Sequence, residues 1–175
     1  MEPNPSPRPE KGIVMIVLLS SLCAPDSASR HETAWRLLRD GARRLYGIGD
    51  FAEGVIRNPA GKPYHPGYPQ IRFSISHTKH AAFCVFSDRE IGLDCEEQRH
   101  VSERVRARYL GGAKDDGEAL DRWTMLESLV KLKGVTFADV SYLRDVKESA
   151  DVVFERLEAP IGKDFVIHVC YFRKS

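Results

Sequence analysis

The chain has 175 residues, is 42% hydrophobic and carries a formal net charge of +1. That supplies one sizeable core, or two small lobes sharing one, and the near-neutral balance excludes strong nonspecific nucleic-acid binding. Four cysteines, Cys23, Cys84, Cys95 and Cys170, show no C-x-x-C spacing, so they read as reduced, buried side chains of a cytoplasmic protein, not as a zinc site or disulfide framework.

Residues 1–10 contain four prolines and are expected to form a loose arm. Gly12 to Leu19 is an apolar run rich in β-branched residues. It is too short to span a bilayer, and no A-x-A-like site follows it. A buried strand is the expected outcome. A helix should follow Pro25-Asp26, with Ser29 and Glu32 spaced as a capping box. Ala34, Leu38, Ala42 and Leu45 keep helical spacing, and Gly47 is a plausible stop. Arg30 lies in the first turn, where the helix dipole disfavours a cation. An anionic ligand would account for it there. Asn58-Pro59-Ala60-Gly61-Lys62-Pro63 is a dense turn signal, with Lys62 between Gly and Pro on a stiff backbone.

Phe73-Ser74-Ile75-Ser76-His77-Thr78, then Ala81 to Phe86, then Ile91 to Glu96 read as a three-stranded meander. In its last strand Asp94 and Glu96 are two apart, so both carboxylates point to one face. Side by side they repel, and burying them unpaired is costly. A divalent cation would remove both problems. Residues 101–110 suggest a short basic helix capped by Ser102 and ended by Gly111-Gly112. The next helix should run from about Glu118 to Lys133, with Asp115 or Asp116 as cap. Thr124, Glu127 and Lys131 share a polar face on it, beside an apolar stripe of Ala119, Trp123, Leu126 and Val130. Taken alone, Glu127 and Lys131 could be only an i,i+4 ion pair. Placed in an enclosed site, Glu127 would be a third carboxylate facing Asp94 and Glu96. Residues 140–146, 152–157 and 164–172 read as strands. Helix then meander recurs in both halves, which suggests a duplicated α+β unit.

Gly61-Lys62-Pro63, Phe73 to Thr78, Gly92-Leu93-Asp94-Cys95-Glu96 and Trp123 to Lys131 resemble, in order and spacing, the motifs of the 4′-phosphopantetheinyl transferases. The closer similarity is to the larger, pseudodimeric, surfactin-synthetase-activating type. The resemblance implies an α+β fold of two pseudo-symmetric lobes, residues 11–97 and 98–175, with the active site in the cleft between them. It implies an enzyme that moves the 4′-phosphopantetheine arm of coenzyme A to a serine of an apo acyl or peptidyl carrier protein. It further implies a cytoplasmic monomer that engages neither membrane nor nucleic acid. Asp94, Glu96 and Glu127 would hold Mg²⁺. Glu127 would serve as base and Lys131 would steady the transferring phosphoryl group. Arg30, Lys62, Ser76, His77 and Lys131 would grip coenzyme A.

Leu126 departs from the pattern, standing where the family usually has lysine. The lengths before Arg30 and between the Asp94 strand and the Trp123 helix are also short. A catalytically silent homologue that binds a carrier protein or coenzyme A is the alternative. A nucleotide-phosphate hydrolase using the same acidic trio lacks any phosphate-binding glycine motif in its support. Two further expectations concern particular residues. Asp94→Ala should spare the fold, because a metal ligand contributes little to a core. Arg104, Arg106 and Arg108 should border the cleft and meet an acidic carrier protein.

Overall fold

In the computed structural model, which describes residues 14–136, 138, 140–162 and 164–173, the first apolar run forms strand β1, Ile16–Leu22. The expected arm, residues 1–10, lies outside the described residues. Helix α1 spans Ser27–Tyr46 and buries Ala34, Leu38 and Ala42. Its cap is Asp26, whose side chain accepts from the Ser29 N–H at 2.8 Å. The helix therefore starts about one turn before the expected Ser29–Glu32 capping box: Asp26 satisfies the Ser29 N–H, and Ser29 lies inside the first turn and not at the cap. Gly47 is the C-cap, as expected.

A short hairpin of β2, Ile56–Arg57, and β3, Pro63–Tyr64, follows. Strands β4, Arg72–His77, and β5, Ala81–Ser87, then pair antiparallel, and β1 joins the other side of β5. Every residue of β5 is buried, as befits a central strand covered on both faces.

The third strand of the expected meander behaves differently. Strand β6, Ile91–Glu97, pairs not with β5 but with β8, Phe165–Phe172, and β7, Val152–Leu157, flanks β8 on its other side. Side-chain alternation alone predicts a strand but not its partner, and β8 is a long, almost wholly buried strand that offers β6 a full antiparallel ladder. The sheet orders are β1-β5-β4 and β6-β8-β7. In both, the first strand in sequence lies beside the last. Small antiparallel sheets with helices packed against them make this an α+β arrangement.

Between Ala81, Phe83 and Val85 of β5, Leu93 and Cys95 of β6, and Ile167 and Val169 of β8 lies one fully apolar core. Helix α1 packs on the other face of the first sheet through Leu38, Ala42, Phe73 and Phe86. Helix α2, Glu103–Tyr109, is short, and α3, Asp116–Lys133, is capped by Asp115, whose carboxylate accepts from Glu118 N–H at 2.8 Å. Through Leu126, Leu129 and Leu132, α3 packs against Val152 of β7 and Cys170 of β8. It lies directly on β6 at Gly92, where a Cβ would stand 1.9 Å from the Ser128 carbonyl oxygen and 2.6 Å from Leu132 N. Only glycine permits that approach. Residues 140–146, expected as a strand, instead enter a π-helical turn, Tyr142–Lys147, capped by the Ser141 side chain. A cap from Ser141 with a return bond from Asp145 to Ser141 N–H at 2.7 Å favours helical closure over extension.

No helix of the described residues is long and apolar enough to cross a membrane.

Candidate active site

Where β4 meets β6 there is no backbone ladder between the two sheets. Serine side chains make the connection. The Ser74 hydroxyl accepts from Leu93 N–H at 3.1 Å, and the Ser76 hydroxyl donates to Asp94 Oδ1 at 2.9 Å. Alternation along β4 turns Phe73 into the core under α1 and Ser74 and Ser76 towards β6. Helix α3, held close by Gly92, brings Lys131 onto the same point. Lys131 Nζ donates to Asp94 Oδ1 at 2.8 Å and to Ser76 Oγ at 3.0 Å. Three elements distant in sequence thus converge on one carboxylate oxygen.

This junction opens into a cavity of about 480 Å³. Its walls include His31 of α1, Arg57, Ala60, Gly61, Lys62 and Pro63 of the hairpin, Ser74 to His77 of β4, Asp94 to Glu96 of β6, and Glu127, Val130 and Lys131 of α3. Of the eight residues singled out from sequence, seven line it: Lys62, Ser76, His77, Asp94, Glu96, Glu127 and Lys131. The cavity wall carries His31 in place of its neighbour Arg30. The Arg30 charge nonetheless contributes to His77, whose imidazole is held below its usual value mainly by burial. Arg30 Nε is itself buried and has no hydrogen-bond partner among the described residues.

The electrostatics sort the three carboxylates. Asp94 is 5% exposed. Burial pushes its carboxyl up, against the pull of Lys131 and Ser76. For Lys131 burial acts downward, but the Asp94 carboxylate outweighs it and the ammonium is held above its usual value. Two donors on one oxygen at hydrogen-bond distance are the geometry of a charged pair, and that is the state we assign. Glu96 is clamped by Arg99, whose Nε and Nη2 donate to its two oxygens at 3.0 and 2.9 Å. Glu127 accepts no hydrogen bond among the described residues. Burial first, then repulsion from Asp94 and Glu96, pushes it up to about 7, with Lys131 and Arg99 opposing. Two acids have their own cation and the third does not, so the third titrates near neutrality.

The donor set, three hard carboxylates with mutual repulsion to relieve, suits a divalent cation. The side chains are not gathered for one: among the described residues no three of His, Cys, Asp and Glu form a ready cage. Lys131 and Arg99 would have to yield part of Asp94 and Glu96.

Lys62 is engaged elsewhere. Its ammonium is ion-paired with Glu90 and lies 3.4 Å from Ile91 O and 3.3 Å from Leu132 O, tying the hairpin to β6 and to the end of α3. Leu126 is fully buried in the α3 core. Sequence reasoning missed Arg99 and Arg57. Arg99 stands three residues after Glu96, the kind of spacing that can be tested for an ion pair. Arg57 carried no signal beyond lying next to the turn.

No family model matches the chain. The 4′-phosphopantetheinyl transferase Sfp of Bacillus subtilis (strain 168) is 33% identical over 85 residues, which cover 42% of this chain and 38% of that protein. A 4′-phosphopantetheinyl transferase of Bacillus subtilis is 26% identical over 132 residues, covering 68% of this chain and 59% of that protein. The chain thus spans less than two thirds of the length of either relative. Over the matched residues the chain is similar in sequence to these 4′-phosphopantetheinyl transferases.

Proposed function

We propose that the protein transfers the 4′-phosphopantetheine arm of coenzyme A to a serine of an apo acyl or peptidyl carrier protein. The observation that carries this reading is the convergence of Ser76, Asp94 and Lys131 within 3.0 Å of one another, beside Glu96 and Glu127, in one cavity. In this reading residues 11–97 and 98–175 are two pseudo-symmetric lobes and the cavity is the cleft between them. The matching strand orders of the two sheets, each with one long helix, support that equivalence. We take the enzyme to work as a monomer in the cytoplasm.

The serine oxygen of the carrier forms a bond to the phosphorus that bears pantetheine. The bridging P–O bond breaks, and adenosine 3′,5′-bisphosphate leaves with that electron pair. Glu127, lacking a cation of its own and titrating near neutrality, accepts the serine proton. A positioned base of this kind contributes about 10²–10⁴ in rate. Lys131 offers its remaining donors to the phosphoryl oxygens, where charge grows in the transition state. Ser76 keeps Asp94 and Lys131 in register, and His77, its imidazole held below its usual value by burial, offers a hydrogen bond. Asp94, Glu96 and Glu127 would hold Mg²⁺, which neutralises pyrophosphate charge when bound.

The second reading, a silent homologue that binds a carrier protein or coenzyme A, draws on Leu126 and on the occupation of Asp94 and Glu96 by basic side chains. One experiment separates the two. The protein is incubated with coenzyme A, Mg²⁺ and a set of apo carrier proteins, and each carrier is weighed intact. Gain of a phosphopantetheinyl group is the expected result. Carrier or coenzyme A binding with no gain across the set would leave the silent homologue, and coenzyme A consumed without carrier would mean hydrolysis.

A further inference from the structure

One buried polar contact has no part in the chemistry described above. His168 of β8 is 4% exposed and Thr124 of α3 is fully buried, and neither lines the cavity. The imidazole Nδ1 stands 2.7 Å from Thr124 Oγ1. The hydroxyl proton is directed back at the Leu120 carbonyl at 2.9 Å, with that of Asp121 at 3.0 Å, so Thr124 Oγ1 accepts from His168 Nδ1–H. The other ring nitrogen faces Asp121 Oδ1 at 3.6 Å, and that oxygen accepts from Arg156 Nη1 of β7 at 3.0 Å. Apolar side chains would fill this interface at less cost than a buried imidazole and hydroxyl. The pair therefore contributes direction more than burial.

What the pair directs is helix α3. His168 is the register partner of Asp94 across β8 and β6, so the two side chains leave the same face of the sheet. Both reach α3, Asp94 at Lys131 and His168 at Thr124. Around the helix axis Thr124 and Lys131 lie within about 20° of one another, and Glu127, between them in sequence, is turned about 40–60° to one side. Gly92 sets how closely the helix lies on β6, but close approach at one point leaves rotation about the axis free. Lys131 has a flexible four-carbon stem that can follow a turning helix. The short Thr124 hydroxyl, held by a buried ring, cannot. At a side-chain radius of about 5–6 Å, a rotation of about 10° moves the Glu127 carboxylate by about 1 Å. Misplacement on that scale can cost about 10²-fold in rate.

We propose that His168 is a positioning residue, which through Thr124 holds the rotation of α3 and so places Glu127 against the serine of the carrier protein. The inference rests on the transferase reading and adds to it a residue of β8, outside the cavity and outside the motifs of β4, β6 and α3.

The test is steady-state transfer to an apo carrier protein by the full chain and by its His168→Ala, His168→Asn and Thr124→Val variants and the His168→Ala, Thr124→Val double variant. Folding is checked by thermal unfolding. His168→Ala should lower kcat about tenfold or more and leave the KM for coenzyme A within about twofold of wild type. Asparagine presents an amide N–H where Nδ1 stood, so His168→Asn should recover most of the loss. Thr124→Val keeps the shape and loses the hydroxyl. It should lower kcat likewise, and His168→Ala should then cause no further loss. A purely structural role would lower the melting temperature without this split between kcat and KM and without rescue by asparagine. Full kcat in folded His168→Ala, equal losses for alanine and asparagine, a loss confined to KM, or independent losses in the double variant each overturn the inference. If His168→Ala fails to fold, Thr124→Val decides: lowered kcat at unchanged KM supports the role, and unchanged kcat overturns it. An active wild type with indifferent variants overturns the role of His168 alone. A wild type that modifies no carrier overturns the transferase reading along with it.

Discussion

Glu127 owes its chemistry to what its neighbours lack. Its carboxyl rises from 4.5 to about 7 because it is buried beside two other acids without a cation of its own. The native pKa is above the unfolded one, so the native state keeps a proton that the unfolded chain releases between those values. Stability therefore falls as pH rises through that window. Glu127→Gln should raise the melting temperature at pH 8 in metal-free buffer and leave it nearly unchanged at pH 4.5. Equal gains at both pH values would mean that the charge is not the cause. Adding Mg²⁺ should narrow the gap at pH 8. At Asp94 the structure alters the expectation that truncation spares the fold. Asp94→Ala leaves Lys131, whose side chain is 27% exposed, without its carboxylate. Breaking a buried pair costs about 3–5 kcal/mol, and the partial exposure of Lys131 places this loss near the lower end. Urea unfolding of Asp94→Ala measures it, and a loss below about 1 kcal/mol would show the pair to be structurally idle.

At the level of elements, the fit between β6 and α3 determines the site. Gly92→Ala would force a Cβ against backbone atoms of α3, which no side-chain rotation relieves. Overpacking commonly costs about 1–3 kcal/mol, and a clash with helix backbone belongs at or above the top of that range. The helix would move away from β6 and carry Glu127 and Lys131 from Asp94, so catalysis should fall further than the unfolding free energy implies. A folded, fully active Gly92→Ala would show that the packing tolerates the shift. Much of this was legible in the sequence, because β4, β5, β6, β7 and α3 each announce themselves by period and cap. Seven of the eight singled-out residues share the cavity because motif order reflects chain order through it. What the sequence withheld was pairing. Nothing in Ile91 to Glu97 says that β8, some seventy residues on, is its neighbour. The Tyr142–Lys147 turn was hidden because apolar residues at short spacing read alike in a strand and in a tight helical turn. The ion pair of Lys62 was invisible because Glu90 lies across the fold, whereas that of Arg99 was hinted at only by its place three residues after Glu96.

On the whole molecule, the net charge of +1 gives no general attraction to an acidic partner, so any steering must be local. Of the three arginines expected to supply it, Arg106 is already committed. It donates to Val101 O at 2.8 Å, Lys114 O at 3.2 Å and Asp116 Oδ1 at 3.0 Å, and so ties α2 to the start of α3. Arg104 and Arg108 are exposed. If α2 meets the carrier protein, replacing these two by alanine should raise the carrier KM several-fold at low salt, with the difference fading as ionic strength rises. The KM for coenzyme A should stay put, and an unchanged carrier KM at low salt would move the docking surface elsewhere. The serine seam between β4 and β6 has a kinetic consequence of its own. On its β8 side, β6 is protected by a continuous ladder, whereas towards β4 the Leu93 amide relies on a single hydroxyl. Any breathing of one sheet away from the other releases that proton to solvent first. The exchange rate of this one amide would therefore act as a clock for the opening of the cavity, while the amides bonded to β8 report only on unfolding.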